Sequence, residues 1–485
     1  MIIAKTLGAL SLIIACLMIP VLIVSLILTE YTFARDFGKL ILVLAIAGSL
    51  LSLFFRNADR DIRVRDGILL VAFCWIFTGL LGALPYVVTG VIPSYADAVF
   101  ESISGFTTTG ITILDSASVV PKSLLFWRSL TNWIGGIGIL IFAISILPAL
   151  GIGAVNIFSA ENSGNASAME RISARISDNA RQIYLMYIAM TIALFLLLLM
   201  SADMNVLDAV IYSFSGVSNS GFIISYGGLI EFGNLYIDVV ISIFCVLVSM
   251  NFVSYTLLLR GRFKEFINEP EVKVFLVMII SIFALTVLVL WLSGTYESLD
   301  SAARNSFLTI VSFVSTAGFA GSSYGSWPLF CKLLLFAAMF IGGCSASTAG
   351  GLKVIRLSVM ASLIRRNINK RLHPNAVVAV KLGNQAISSQ KVSNITVFVM
   401  MYFFVFALGV ILLSLDGQSA STTASAVASA MSNTGLGFGA LVTGNYQVFS
   451  TGGRLLLSLI MLVGRLELFT IILLIVPNFW RPNHR

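Results

Sequence analysis

The sequence is short of almost everything a water-soluble enzyme needs. Only 11% of its 485 residues are charged, against 58% hydrophobic, and mean hydropathy is +0.98. Soluble domains carry roughly a quarter of their residues charged, so a water-solvated globule is excluded. Histidine is nearly absent. His373 and His484 are the only two, and neither has a metal-ligand residue beside it, which removes a metalloenzyme. The five cysteines (Cys16, Cys74, Cys245, Cys331, Cys344) are odd in number and lie in or beside apolar segments, so they read as small hydrophobes rather than a disulfide framework. There is no clustered nucleophile and base, and no glycine-rich nucleotide fingerprint. An enzyme is therefore not expected, and no covalently bound cofactor.

What is there is one uncharged apolar run after another. Ile183 to Met200 and Val392 to Leu415 carry no charge over the ~20 residues that a bilayer-spanning helix needs. The first run, Leu7 to Leu28, is too long for the core of a signal peptide and has no cleavage site, so it reads as a first span. Ten spans are expected, near 5–29, 38–55, 67–90, 123–150, 182–201, 235–259, 273–293, 328–355, 392–415 and 454–478. With the N-terminus in the cytoplasm, one face collects most of the basic residues: Lys5, Arg56, Arg60, Arg63, Arg65, Arg171, Arg175, Arg181, Arg260, Arg262, Lys264, Lys273, the series from Lys353 to Lys391, Arg481 and Arg485. Such a bias sets orientation and places both termini inside. Anionic lipid and topogenesis account for it better than nucleic acid does.

Between the members of the last four span pairs sits a shorter, semi-polar segment. These end in Thr107-Thr108-Thr109-Gly110, Ser218-Asn219-Ser220-Gly221, Ser315-Thr316-Ala317-Gly318 and Ser432-Asn433-Thr434-Gly435. The four agree in register without gaps. Six residues before each glycine is a serine (Ser104, Ser215, Ser312, Ser429), and one after is a large apolar residue (Ile111, Phe222, Phe319, Leu436). Thirteen before is a polar residue, Asp97, Asp208, Asn305 or Thr422, expected to cap or begin a half-helix dipping inward from the outer face. Internal repeats at fixed spacing are the strongest architectural signal a sequence carries. The fold class is therefore an all-α membrane protein: two N-terminal transmembrane helices, then four pseudo-symmetric helix–pore loop–helix repeats around one pore. The expected division is 1–60 for the two helices, then 61–175, 176–265, 266–372 and 373–485 for the repeats.

Non-helical backbone at membrane depth is tolerated only where it is buried in protein or lines a watery path. Carbonyl rings replace the water shell of a dehydrated potassium ion, and glycine reaches the required dihedrals without steric cost. The candidate filter residues are Thr108, Thr109, Gly110, Asn219, Ser220, Gly221, Thr316, Ala317, Gly318, Asn433, Thr434 and Gly435, with potassium held at the residues before each glycine. Two further features lie nearby. The span near 328–355 is interrupted by small residues: Gly343, Cys344, Ser345, Ala346, Ser347, Thr348, Ala349, Gly350 and Gly351. They suit either an unwound gating loop beneath the filter or close helix packing. Arg465 lies inside the last span, where charge is expensive and by default functional. Glu467, two residues on, does not face it on a helix. Arg465 is either an electrostatic barrier on the pore axis or half of an ion pair with another span.

These residues resemble the superfamily of Trk, Ktr and HKT potassium transporters over essentially the whole chain, and most closely its TrkH branch. The resemblance runs through Arg65-Asp66-Gly67, Gly342-Gly343-Cys344, Gly350-Gly351-Leu352-Lys353, His373-Pro374-Asn375-Ala376-Val377, Lys381-Leu382-Gly383-Asn384 and Gly464-Arg465-Leu466-Glu467. The two extra N-terminal spans separate it from the eight-span KtrB. The resemblance implies potassium uptake across a bacterial inner membrane, with rubidium as a permeant analogue. It implies a homodimer with one pore per protomer, and a cytoplasmic nucleotide-binding regulatory ring similar to TrkA. It also supports the gating loop. In HKT relatives a serine at the first filter glycine goes with sodium selectivity, so Gly110 points to potassium. The competing expectation is a secondary transporter coupling potassium to protons or sodium through broken helices. Such folds usually show two inverted repeats, whereas these four units share one orientation.

Overall fold

In the computed structural model the described residues are 2–55, 64–114, 120–141, 167–222, 232–320, 324–376, 378–383 and 385–466, with Leu229 and Leu468. Several expected features lie outside them: Arg56, Arg60 and Arg63, the inner end of the span near 123–150, the end of the last span including Glu467, and the residues Val377 and Asn384.

The chain begins with an antiparallel pair, α1 (Ile2–Ile27) and α2 (Tyr31–Phe54). The second helix starts about two turns earlier than its hydropathy predicts, because the tight turn at Thr29, in the left-handed region at φ 60°, leaves no room for a linker. The pair is fastened to the rest by Glu30. Its carboxylate accepts the backbone N–H groups of Lys122 (3.0 Å) and Ser123 (3.2 Å) and the Ser123 hydroxyl. Those amides open a later helix and have no partner inside it, and a carboxylate there also meets the positive end of the dipole.

Four units follow. The first is α3 (Val64–Gly82) with α4 (Leu84–Val88), the short α5 (Tyr95–Phe106) and α6 (Lys122–Ile141). The second is α7 (Ser167–Leu199), short α8 (Val206–Ser218) and α9 (Leu235–Ser249), with α10 (Tyr255–Leu259) and α11 (Phe263–Ile267) at its end. The third is α12 (Pro270–Leu292), short α13 (Leu299–Ser315), α14 (Leu329–Ile341) and α15 (Val354–Leu372). A two-residue hairpin pairing β1 (Lys381–Leu382) with β2 (Gln385–Ala386) leads to the fourth. That unit is α16 (Ser389–Leu413), short α17 (Ala420–Ser432) and α18 (Thr451–Arg465).

Six helices among the described residues are long and apolar enough to cross a membrane. Two expected spans are interrupted. The one near 328–355 stops at Ile341 and resumes at Val354. The one near 235–259 is a correction: α9 ends at Ser249, and the chain runs irregularly to Tyr255. The apolar composition of Met250-Asn251-Phe252-Val253-Ser254 hides that break. Large side chains from all the units fill the interior, Trp127, Tyr187, Tyr212, Phe275, Trp327 and Tyr402 among them.

Candidate functional site

Each short helix has a wet end and a buried end. Ser94, Asn205, Ser298 and Ser419 are the N-caps. The Asn205 Oδ1 accepts from the Asp208 amide at 2.9 Å, the Ser419 Oγ accepts from Thr422 at 3.3 Å, and Ser298 forms a reciprocal capping box with Ser301. Of the two roles expected for the residue thirteen before each glycine, cap or helix start, three units show the second. Asp97, Asp208 and Thr422 sit three residues inside the cap, in the first turn, where the two aspartates complement the dipole. Asn305, in the longer α13, is well inside the helix and donates to the Ser301 carbonyl at 2.8 Å. The Ser-x-x-Asp and Asn-x-x-Asp spacing carries the true cap in the sequence. Asp97 is paired with Arg454 at 3.2 Å.

At the buried ends the four units repeat one backbone conformation. The residue two before each glycine is left-handed: Thr108 (φ 54°), Asn219 (56°), Thr316 (57°) and Asn433 (53°). The glycines follow with φ 79°, 66°, 80° and 87°. Threonine is rare in that region, and each such residue stores on the order of 1–3 kcal/mol of strain. A Schellman-type bond closes every helix: the amides of Thr109, Ser220, Ala317 and Thr434 donate to the carbonyls of Ser104, Ser215, Ser312 and Ser429 at 2.9, 3.1, 2.9 and 3.0 Å. The serine six before each glycine is thus a backbone anchor in all four units. In the first two its hydroxyl also donates across the loop, Ser104 to the Ile111 carbonyl (2.6 Å) and Ser215 to that of Phe222 (2.8 Å).

The four loops meet in a closed cycle. A Cβ built on Gly110 would lie 1.7 Å from the Ser220 carbonyl oxygen. On Gly221 it would lie 2.6 Å from that of Ala317, on Gly318 2.7 Å from that of Thr434, and on Gly435 2.5 Å from that of Thr109. Each glycine therefore faces the carbonyl just before the next unit's glycine, and the fourth returns to the first. Side chains stitch the same seams. The Asn219 Nδ2 donates to Ser249 Oγ (2.6 Å) and the Ser315 carbonyl (3.2 Å). The Asn433 Nδ2 donates to Thr109 Oγ1 (2.8 Å) and the Met461 carbonyl (3.2 Å).

Directly against this cycle lies the interruption of the third unit. Gly350 N–H donates to Thr316 Oγ1 at 2.8 Å, and the Thr348 hydroxyl donates to the Val217 carbonyl at 3.3 Å. The Cys344 amide donates to the Ser249 carbonyl at 2.8 Å, and the Phe252 amide to the Ala346 carbonyl at 3.0 Å. The two helix breaks thus satisfy one another's backbone groups, which burial demands. Glu271, near the start of α12 and 4% exposed, takes the Ser345 amide (2.5 Å) and hydroxyl (2.6 Å). The Lys353 ammonium donates to the Ala349 carbonyl. Thr348 and Gly350 are therefore brought against the glycine cycle, while Ser345 is held by Glu271 of α12.

Arg465, 3% exposed, donates to the Thr348 carbonyl at 3.0 Å and the Gly135 carbonyl at 3.5 Å. Among the described residues it makes no ion pair within 4.0 Å, so its guanidinium is a strap on the interrupted segment. Sequence reasoning passed over a second buried arginine. Arg128 of α6 lies 2.9 Å from Glu101 of α5, both essentially without exposure. Glu101 also takes the Thr112 hydroxyl at 2.9 Å and the Ile113 amide at 3.0 Å, and Arg128 stacks 3.9 Å over the Phe222 ring. Partners 27 positions apart on different helices leave no periodic trace in a sequence.

Comparison with known proteins bears on this arrangement. The family model described as TrkH, cation transport protein, matches residues 35–481. The chain is 34% identical to the Trk system potassium uptake protein TrkH of Salmonella typhimurium over 92% of each chain. It is 32% identical to the protein of the same description from Halomonas elongata over 99% of each. The crystal structure of the potassium transporter TrkH from Vibrio parahaemolyticus superposes with a TM-score of 0.89 at 30% identity, covering 99% of both chains.

Proposed function

The chain belongs to the TrkH family of cation transport proteins, and from that premise we propose that it takes up potassium through a channel-like pore whose filter is the glycine cycle. The observation that carries the reading is the cyclic contact of four glycines with four neighbouring carbonyls. Backbone oxygens held around one axis can replace an ion's water shell. The ion-facing set is Thr108, Thr109, Asn219, Ser220, Thr316, Ala317, Asn433 and Thr434, supplied mainly through backbone carbonyls. The segment Gly343 to Gly351 is the gate, with Arg465 both its strap and a positive charge beside the ion path.

Relatives named as Trk system potassium uptake proteins support potassium as the cargo, and Gly110 supports potassium over sodium. The family resemblance and the basic inner face support an inner membrane with cytoplasmic termini, a homodimer, and control by a cytoplasmic nucleotide-binding subunit similar to TrkA. The test is cation flux into proteoliposomes with potassium, rubidium or sodium as the sole permeant ion. Uptake of potassium and rubidium well above sodium is expected. Equal uptake of all three, or none without an imposed proton or sodium gradient, would overturn it.

A further inference from the structure

We propose that Glu101, Arg128 and Phe222 form a brace that fixes the spacing of the first two filter loops and thereby helps set potassium over sodium discrimination. The inference rests on the filter reading above and concerns positioning residues, since none of the three has to touch the ion. Glu101 lies nine residues before Gly110 on the helix that precedes it. The same position in the other units holds Tyr212, Thr309 and Ala426, so the charge belongs to one unit alone. Its carboxylate collects Arg128, the Thr112 hydroxyl and the Ile113 amide. Thr112 and Ile113 are the second and third residues after Gly110, so one oxygen pair sets where the first strand leaves the ring. Arg128 passes the constraint on, because its guanidinium carbon lies 3.9 Å from the centre of the Phe222 ring, and Phe222 follows Gly221.

A bare buried carboxylate is costly, whereas one that accepts several charge-assisted bonds is rigid. The first and second strands are also the two whose anchoring serine hydroxyls bridge the loop. Ser312 and Ser429 of the other two units have no such partner. The first two strands are thereby tied to the helices that precede them and, through Arg128 and Phe222, to one another, and discrimination against the smaller ion depends on that tie.

The experiment measures the potassium-to-sodium flux ratio in proteoliposomes for Glu101→Gln, Phe222→Leu and Phe222→Tyr, with Gly110→Ser as the reference. The first two should lower the ratio by about tenfold, equivalent to about 1.4 kcal/mol of differential stabilisation. Phe222→Tyr keeps the ring under Arg128 and should keep the ratio, an outcome that lost packing alone does not give. If Gly110→Ser changes the ratio but Glu101→Gln and Phe222→Leu do not, the brace is wrong and the filter stands. If Gly110→Ser changes nothing, the filter reading falls and takes the brace with it. Should Glu101→Gln yield no folded protein, the Phe222 pair decides. A lowered ratio with leucine and a normal one with tyrosine supports the brace, and equal ratios overturn it.

Discussion

The left-handed threonines and the glycines of the cycle have opposite tolerances. Thr108 and Thr316 bear a strain that asparagine bears in the other two units. The glycines have no such substitute, since any Cβ at Gly110 meets the Ser220 oxygen. Gly110→Ser is expected to lower the potassium-to-sodium ratio in liposome flux by about tenfold, with some loss of thermal stability. An unchanged ratio would remove Gly110 from the filter. At Arg465 the expected effect of Arg465→Ala is higher flux from folded protein. The substitution removes a charge whose repulsion of a cation about 5 Å away is roughly 3 kcal/mol at an effective dielectric of 20, an upper figure in a hydrated path. It also releases the Thr348 carbonyl. Lower flux with a lower melting temperature would make Arg465 purely structural, a strap on the Thr348 and Gly135 carbonyls. The glycines and Arg465 stand out in the sequence because each breaks a local rule, glycine in a polar tetrapeptide or charge in an apolar run. Glu101 and Arg128 break one too, but their resolution is tertiary and leaves no local sign.

The interrupted segment is best judged as an element. Cys344, Ala346, Thr348 and Gly350 are tied through their backbone groups to Ser249, Phe252, Arg465 and Thr316, which come from three units. Glu271 holds Ser345 from the start of α12. On the proposed reading, deleting Ser345 to Ala349 should raise basal flux and weaken dependence on a cytoplasmic regulator. A folded deletion protein with flux at or below the original level would return the segment to packing. Glu271→Gln is the milder version. It keeps the shape but weakens charge-assisted bonds worth about 1.5–3 kcal/mol each, and should raise basal flux partway, read in the same assay. The break at Gly342 was legible because glycines and small residues cluster there. The break after Ser249 was not, because Phe252 gives its amide to Ala346 rather than to its own helix. That cause lies nearly a hundred residues downstream. The helix starts were legible in kind, but the cap itself lies three residues earlier in three units and seven earlier in the third, since a polar first-turn residue and a cap residue serve the same helix end.

For the whole molecule, hydropathy and positive charge set the expected order and orientation of the spans, and the repeats set the expected number of units. Orientation is open to labelling. Cysteine placed at Asn367, exposed on α15, should on the expected orientation react with a membrane-impermeant thiol reagent only when the inner face is accessible. Cysteine at Glu297, exposed on the loop before α13, should react from outside. Reaction of both from one side would reverse or fold back the assigned topology. How the units close on one another was not legible, because the seams are made of backbone oxygens that every residue possesses. The seam between the first and last units joins Thr109 to Asn433 and Gly435, and Thr112 to Asn445, with the Tyr446 amide on the Thr112 carbonyl at 2.9 Å. That seam has a consequence for biosynthesis. A nascent chain inserted span by span holds three quarters of the glycine cycle until its final repeat leaves the ribosome. The ring cannot exist before then, so chains stalled or truncated ahead of Ala420 should integrate into the membrane without dissipating its ion gradients.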